Sequence, residues 1–275
     1  MPDYRLKEAR EALRHDNVKT YRTLTIKSGD VLEIETFPIW NTRSEYRTAR
    51  ENLSSDWQVK LNEKNAIKNF IRKVNCNFSS HDYSVALTYN KTALPNEEKA
   101  LRDLRNFLRK ARNYHKKQGL PALRYMATTE SLSKGGLHVR IHHHIIMSGG
   151  IERQALKNLW THGRVRVDEL EPVNGSLEGL AKYITANAIE SKQGRKRFTL
   201  SRNLKKPIIT RADGKYSKRQ VERMLLNRNE AQAIFERQHP KYIFDSCDYK
   251  RSPIVSGAYV YVKMFKLNYK EIFRC

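Results

Sequence analysis

Four of the chain's nine histidines fall between residues 138 and 144, inside the run Leu137–Met147. The run is rich in Val and Ile and reads as a β-strand, in which successive side chains point to opposite faces. One face then carries His138, Arg140, His142, His144 and Ile146, and the other Val139, Ile141, His143, Ile145 and Met147. The second set is apolar except at His143, so it is expected to face the core, with His143 in a structural part. His142 and His144 can turn two imidazoles towards one divalent ion. Glu130 ends the run Arg124–Glu130, which should pair with the histidine strand across Ser133-Lys134-Gly135-Gly136 and supply a carboxylate. One carboxylate and two imidazoles, with positions left for water and phosphate, suit Mg²⁺ or Mn²⁺. His138 and Arg140 share the polar face, either bracing these ligands or touching phosphate.

A second candidate lies on a helix expected over Ser176–Ser191, whose apolar stripe is Leu177, Leu180, Ala181, Ile184 and Ala188. Tyr183 sits about 115° from the stripe's centre, at the rim, with Asn187 one turn on. A rim tyrosine ordinarily packs its ring and wets its hydroxyl. Beside a metal that polarises a phosphate, the same oxygen is a nucleophile for phosphorus, leaving a phosphotyrosine bond and a free 3′-hydroxyl. Gly214-Lys215 is followed by Tyr216 and lacks the upstream glycine of a phosphate-binding loop, so no nucleotide cofactor is expected.

The elements that must position these groups follow from periodicity. Thr20–Ile26 and Val31–Phe37 alternate about Ser28-Gly29-Asp30 and predict a hairpin. Ile67, Phe70, Ile71 and Val74 predict an amphipathic helix over about Asp56–Asn75. Tyr83–Tyr89 reads as a buried strand, and Asn96 caps a helix with Glu97 and Glu98 in its first turn and Leu101, Leu104, Leu108 and Ala111 inward. Two strands, Leu123–Glu130 and Leu137–Met147, then a helix at Ile151–Trp160 and a strand at Val165–Leu170 complete the order. Ser217 caps a helix to about Arg237, and Tyr242–Tyr249 and Ala258–Phe265 are β-prone. The expected class is α+β: a central five-stranded antiparallel sheet with helices on one face and a functional surface on the other, plus an N-terminal hairpin and a C-terminal α/β appendage. The corresponding divisions are residues 1–55, 56–207 and 208–275.

Composition narrows the partners. The chain has 275 residues, 53 Lys and Arg against 29 Asp and Glu, and a net charge of +24, a field that favours nucleic acid. No apolar run is long enough to span a membrane, and three scattered cysteines fit a reducing, cytoplasmic setting. From Lys192 to Arg219 there are eleven Lys or Arg and one acid, Asp213. Within it Lys192, Arg195, Lys196, Arg197, Arg202, Lys205 and Lys206 should neutralise phosphates, and Phe198 could stack on a base.

Three ordered motifs resemble the replication-initiation proteins of small rolling-circle phages and plasmids, in the HUH endonuclease superfamily. Leu87-Thr88-Tyr89 is similar to the first-strand motif. Glu130 with Arg140-Ile141-His142-His143-His144-Ile145-Ile146 is similar to the metal motif, and Leu180-Ala181-Lys182-Tyr183-Ile184-Thr185 to the tyrosine motif. Arg197–Pro207 resembles the segment after the tyrosine helix in phage-type members, and the likeness covers roughly Trp57–Pro207. It implies a five-stranded antiparallel sheet with the histidine pair on a central strand. It also implies Mg²⁺- or Mn²⁺-dependent cleavage of single-stranded or hairpin DNA by Tyr183 through a 5′-phosphotyrosine, with host helicase and polymerase as partners. Two departures stand out: His143 replaces a usually apolar residue, and Ala186 stands where a lysine is expected after the tyrosine, with Lys182 or Lys192 as substitutes and Asn187 next. A relaxase or single-strand transposase would use the same residues, and a basic binding protein without chemistry would share the charge.

Overall fold

The computed structural model describes residues 18–41, 55–92, 94–132, 138–186, 198–251 and 257–267. It is α+β, with two antiparallel five-stranded sheets and six helices among the described residues. No described helix is long and apolar enough to cross a membrane. The chain divides into two compact units, Ile67–Lys206 and Met1–Ala66 with Pro207–Cys275.

The unit Ile67–Lys206 is built on strands β3 (Tyr83–Thr88), β4 (Tyr125–Leu132), β5 (His138–Met147), β6 (Val165–Glu169) and β7 (Thr199–Leu200), in the order β6-β3-β5-β4-β7. The histidine strand β5 is therefore central, as the resemblance implies. Its neighbours are in register: Ala86 and Thr128 flank His144, and Thr88 and Glu130 flank His142. A register shift follows Glu130 before Leu132 pairs His138, and such bulges re-aim side chains at the end of a ladder.

Both faces of this sheet are covered. On one, Val85, Leu87, Ala127, Ile145 and Met147 pack against Leu104, Phe107 and Leu108 of α2 (Glu97–Lys117) and Leu156 of α3 (Arg153–Leu159). On the other, Met126 and Ile146 pack with Phe70 and Val74 of α1 (Ser55–Asn77) and with Ala181 and Ile184 of α4 (Glu178–Thr185). The expectation of helices on one face only is thus corrected. The alternating face that carries His142 and His144 turns apolar at Ile146 and Met126, and the stripes of α1 and α4 need such a partner. Burying each of these large side chains contributes about 1.5–3 kcal/mol.

Residues 162–164 run against the end of β3. Thr88 donates its N–H to the Arg164 carbonyl at 3.0 Å, and Asn90 to that of His162 at 2.9 Å. At Gly163 a Cβ would fall on the Thr88 carbonyl oxygen and within 2.8 Å of the Tyr89 carbonyl carbon. Gly163→Ala is expected to cost about 1–3 kcal/mol, read as a lower urea midpoint, and to displace Thr88 from beside His142.

The other unit holds a sheet of order β8-β1-β2-β10-β9: β1 (Val18–Ser28), β2 (Val31–Trp40), β8 (Ile208–Asp213), β9 (Tyr242–Arg251) and β10 (Ala258–Lys266). The predicted hairpin turns at Gly29, whose φ of 61° is one that glycine adopts freely. Where one helix was expected after Ser217, there are two, α5 (Lys218–Leu226) and α6 (Arg228–Gln238). Asn227 leaves helical geometry at φ −138°, ψ 104°, and its side chain accepts from the N–H groups of Asn229 and Glu230, starting α6. Strand β8, within the basic run, was not anticipated: all six of its residues are exposed. It is held by pairing with β1 and by a two-point contact of Arg22 with Asp213 at 2.7 and 2.8 Å.

Candidate active site

The register brings the three sequence-selected ligands together. His142 Nε2 lies 3.1 Å from Glu130 Oε2, and His144 Nε2 lies 3.9 Å from Glu130 Oε1. One donor atom from each of the three falls within 4.8 Å of the others. The rings of His142 and His144 meet edge to face at 4.9 Å. The carboxylate is nearly buried, at 5% exposure. An anion held there out of water needs positive charge nearby.

Each imidazole is set by its own contacts. His142 Nδ1 donates to the Arg140 carbonyl at 2.9 Å, leaving Nε2 to face the carboxylate. A backbone acceptor on the far nitrogen is how ligating histidines are usually oriented. So Arg140 reaches His142 through its backbone, while its guanidinium donates to the Tyr89 carbonyl at 3.2 Å. The hydrogen bond to Glu130 holds the His142 imidazole above its usual range, against burial. Burial pushes His144 down, with the Glu130 charge opposing it. The shorter contact accounts for the opposite signs.

The donor set fits a divalent ion: oxygen from one carboxylate and nitrogen from two imidazoles. Mn²⁺ at about 100 times its Kd is expected to stabilise the protein by about 2.7 kcal/mol. The gain, seen in thermal melts, should vanish in Glu130→Ala.

Tyr183 lies over the same cluster. It is 66% exposed, and its ring sits 5.6 Å from that of His144, nearly perpendicular at 75°. Several contacts fix α4. Val173 and Ser176 bridge a two-residue turn at Asn174 and Gly175, with φ 50° and 71°, values that suit Asn-Gly. Asn75 Oδ1 accepts from the Leu177 N–H at 2.9 Å, and Thr128 Oγ1 donates to the Ile184 carbonyl at 2.9 Å. Thr128 is the residue beside His144, so the helix end and the ligand strand share an anchor.

His143 points into the core, as the alternation predicts, and is fully buried. Thr129 Oγ1 lies 2.9 Å from Nδ1 and Tyr89 Oη 3.1 Å from Nε2. Tyr89 donates onward to Asp103 Oδ2 at 3.4 Å, which also takes Lys99 Nζ at 3.0 Å. The chain is complete with Thr129 donating to Nδ1 and Nε2–H donating to Tyr89. Burial, with the neighbouring His142 charge, pushes His143 down to about 3.

Of the DNA-contact candidates, Lys182 is exposed but pairs with Glu178 one turn back at 2.6 Å. Phe198 is half-buried and packs one side of its ring on Phe70, with centroids 4.7 Å apart. Arg202, Lys205 and Lys206 are exposed, and Asn77 grips the backbone of Lys205 at 2.8 and 2.9 Å. Asn187, Lys192, Arg195, Lys196 and Arg197 lie outside the described residues, as does the side chain of His138. Tyr216 is buried in the other unit with its hydroxyl on Gln238 at 2.6 Å. The exposed face of α2 carries a cationic row, Arg105, Arg109, Arg112 and Lys116, which the apolar stripe of that helix does not reveal.

Residues 82–188 match the family described as replication-associated protein ORF2/G2P. That span holds the first strand, Glu130, the histidine strand and Tyr183. The match covers 107 of the 275 residues and makes this span similar to that family. Comparison with curated proteins and with solved structures finds no match.

Proposed function

We propose that the protein is a metal-dependent nicking and joining endonuclease for single-stranded DNA that initiates rolling-circle replication. The observation that carries this reading is the approach of an exposed tyrosine to a Glu130–His142–His144 cluster on one sheet face. Mg²⁺ or Mn²⁺ bound by these three residues would polarise the scissile phosphate and offset its developing charge.

The chain's own residues do the rest. Glu130 is held by burial, and the Arg140 carbonyl orients His142, so the ligands need little rearrangement. Tyr183 Oη attacks phosphorus and loses its proton to water, which its exposure allows. The P–O3′ bond breaks, the 3′ oxygen leaves as a hydroxyl after taking a proton, and the 5′ phosphate stays on the tyrosine. One phosphoester replaces another, so rejoining needs no nucleotide cofactor. The released 3′-hydroxyl would prime a host polymerase behind a host helicase. Arg202, Lys205 and Lys206 present outward charge for the strand.

The test is incubation with a labelled pool of single-stranded hairpin oligonucleotides and Mn²⁺, followed by denaturing electrophoresis. A protein-linked label that EDTA prevents is expected. Tight, salt-sensitive binding with no linked label under any divalent ion would overturn the reading in favour of a binding protein.

A further inference from the structure

A groove of about 970 Å³ lies between α2 and residues 199–203 in the unit Ile67–Lys206. Arg105, Arg109, Arg112 and Lys116 line one wall and Arg202 the other, and among the described residues no acid lines it. The four α2 cations are exposed and recur at intervals of four, three and four residues, a row about 16 Å long. One compact anion cannot engage such a row, whereas a chain of repeated phosphates can. The floor is apolar, with Leu108, Leu123 and Tyr125 at 1, 4 and 8% exposure.

The far wall is firmly set. Ser201 donates its N–H to the Tyr125 carbonyl and accepts the Tyr125 N–H on its hydroxyl, at 2.9 and 3.1 Å. His115 also lines the groove; its Nδ1 donates to the Pro121 carbonyl at 2.7 Å, and its buried Nε2, an acceptor, has no partner among the described residues.

We propose that this groove is a second nucleic-acid site, taking the backbone of single-stranded DNA away from the candidate metal cluster. Strand β4 relates the two places. Tyr125 lines the groove, and Glu130, five residues and about 17 Å further on, points to the opposite face. The two sites therefore lie on opposite faces of the sheet, with the short edge strand β7 beside β4. The choice of DNA rests on the nicking reading above, but the site itself is tested without cleavage.

The experiment is fluorescence anisotropy of the full chain with a labelled single-stranded oligonucleotide, in EDTA, across a salt series. The combined variant Arg105→Gln, Arg109→Gln, Arg112→Gln should bind on the order of 100-fold more weakly at roughly 0.1 M salt, with a log–log salt slope shallower by about 2. Arg202→Gln, on the other wall, should lose about fivefold. A charge-matched control in the other unit, Lys218→Gln, Arg219→Gln, Lys241→Gln, should change little, and all variants should melt as the parent does. Groove variants that bind like the parent, or lose no more than the control, overturn the proposal. So does displacement of the oligonucleotide by polyglutamate at equal charge concentration, which would make the groove a site for acidic protein. Failure to form a linked product leaves this result unaffected, so the two readings fail separately.

Discussion

Tyr183→Phe is expected to abolish covalent capture of DNA while leaving the fold and the DNA affinity where they were. The substitution removes one hydroxyl from a residue that is 66% exposed and keeps the ring that meets His144 edge to face. A surface change of this size shifts stability by no more than about 0.5 kcal/mol. Removing a nucleophile from a covalent mechanism, by contrast, lowers the rate by on the order of 10⁴–10⁶-fold. The measurement is the initial rate of label transfer to protein in Mn²⁺, beside a melting curve and an anisotropy titration on the same preparation. Linked product from the Phe variant at a comparable rate would remove Tyr183 from the chemistry. The variant also separates two roles that one site could hold. If Mn²⁺ still raises its melting temperature, the cluster binds metal without help from the phenol.

Much of the candidate site was legible because it rests on the shortest periodicity in proteins. Alternation along β5 sorts His142 and His144 from His143 without knowledge of any partner strand. That Arg124–Glu130 pairs with the histidine strand also follows locally, whereas the observed pairing of Glu130 with His142 depends on the register shift between Glu130 and Leu132, which the pattern does not show. What was not legible depends on long-range pairing. Strand β8 has only Ile208 and Ile209 as large apolar residues, and its identity comes from the edge of β1, far away in sequence. The N-terminal hairpin shares its sheet with β10 and β9 through contacts that no local pattern encodes. The packing of Phe198 on Phe70 joins residues far apart in sequence, and its charged neighbours do not announce it. The break at Asn227 is a different case. The sequence Leu226-Asn227-Arg228-Asn229 carries a capping residue, yet a cap inside a long helical pattern is visible only once the backbone is seen to leave the helix.

His143 is the residue whose replacement should cost most in stability while sparing the metal. His143→Ala leaves a cavity among Tyr89, Trp160 and Thr129 and strips two hydroxyls of a buried partner, together about 3 kcal/mol or more. Leu in its place fills the space and isolates a second effect, the charge state. The folded imidazole titrates near 3 because burial opposes its cation, whereas the unfolded one titrates near 6.5. The unfolded chain therefore binds the extra proton between those values, so this group's contribution is complete above pH 6.5 and is lost as pH falls towards 3. By pH 5 the loss is about 2 kcal/mol. Urea titrations in EDTA at pH 7 and pH 5 should show the parent losing that much more than His143→Leu. Equal acid losses would mean that other groups set the slope. Mn²⁺ binding should be near normal in His143→Leu and absent in His144→Ala, although the two residues are adjacent. The opposite result would require that the strand present its other face to the metal, and the assignment of ligands would have to be reversed with it.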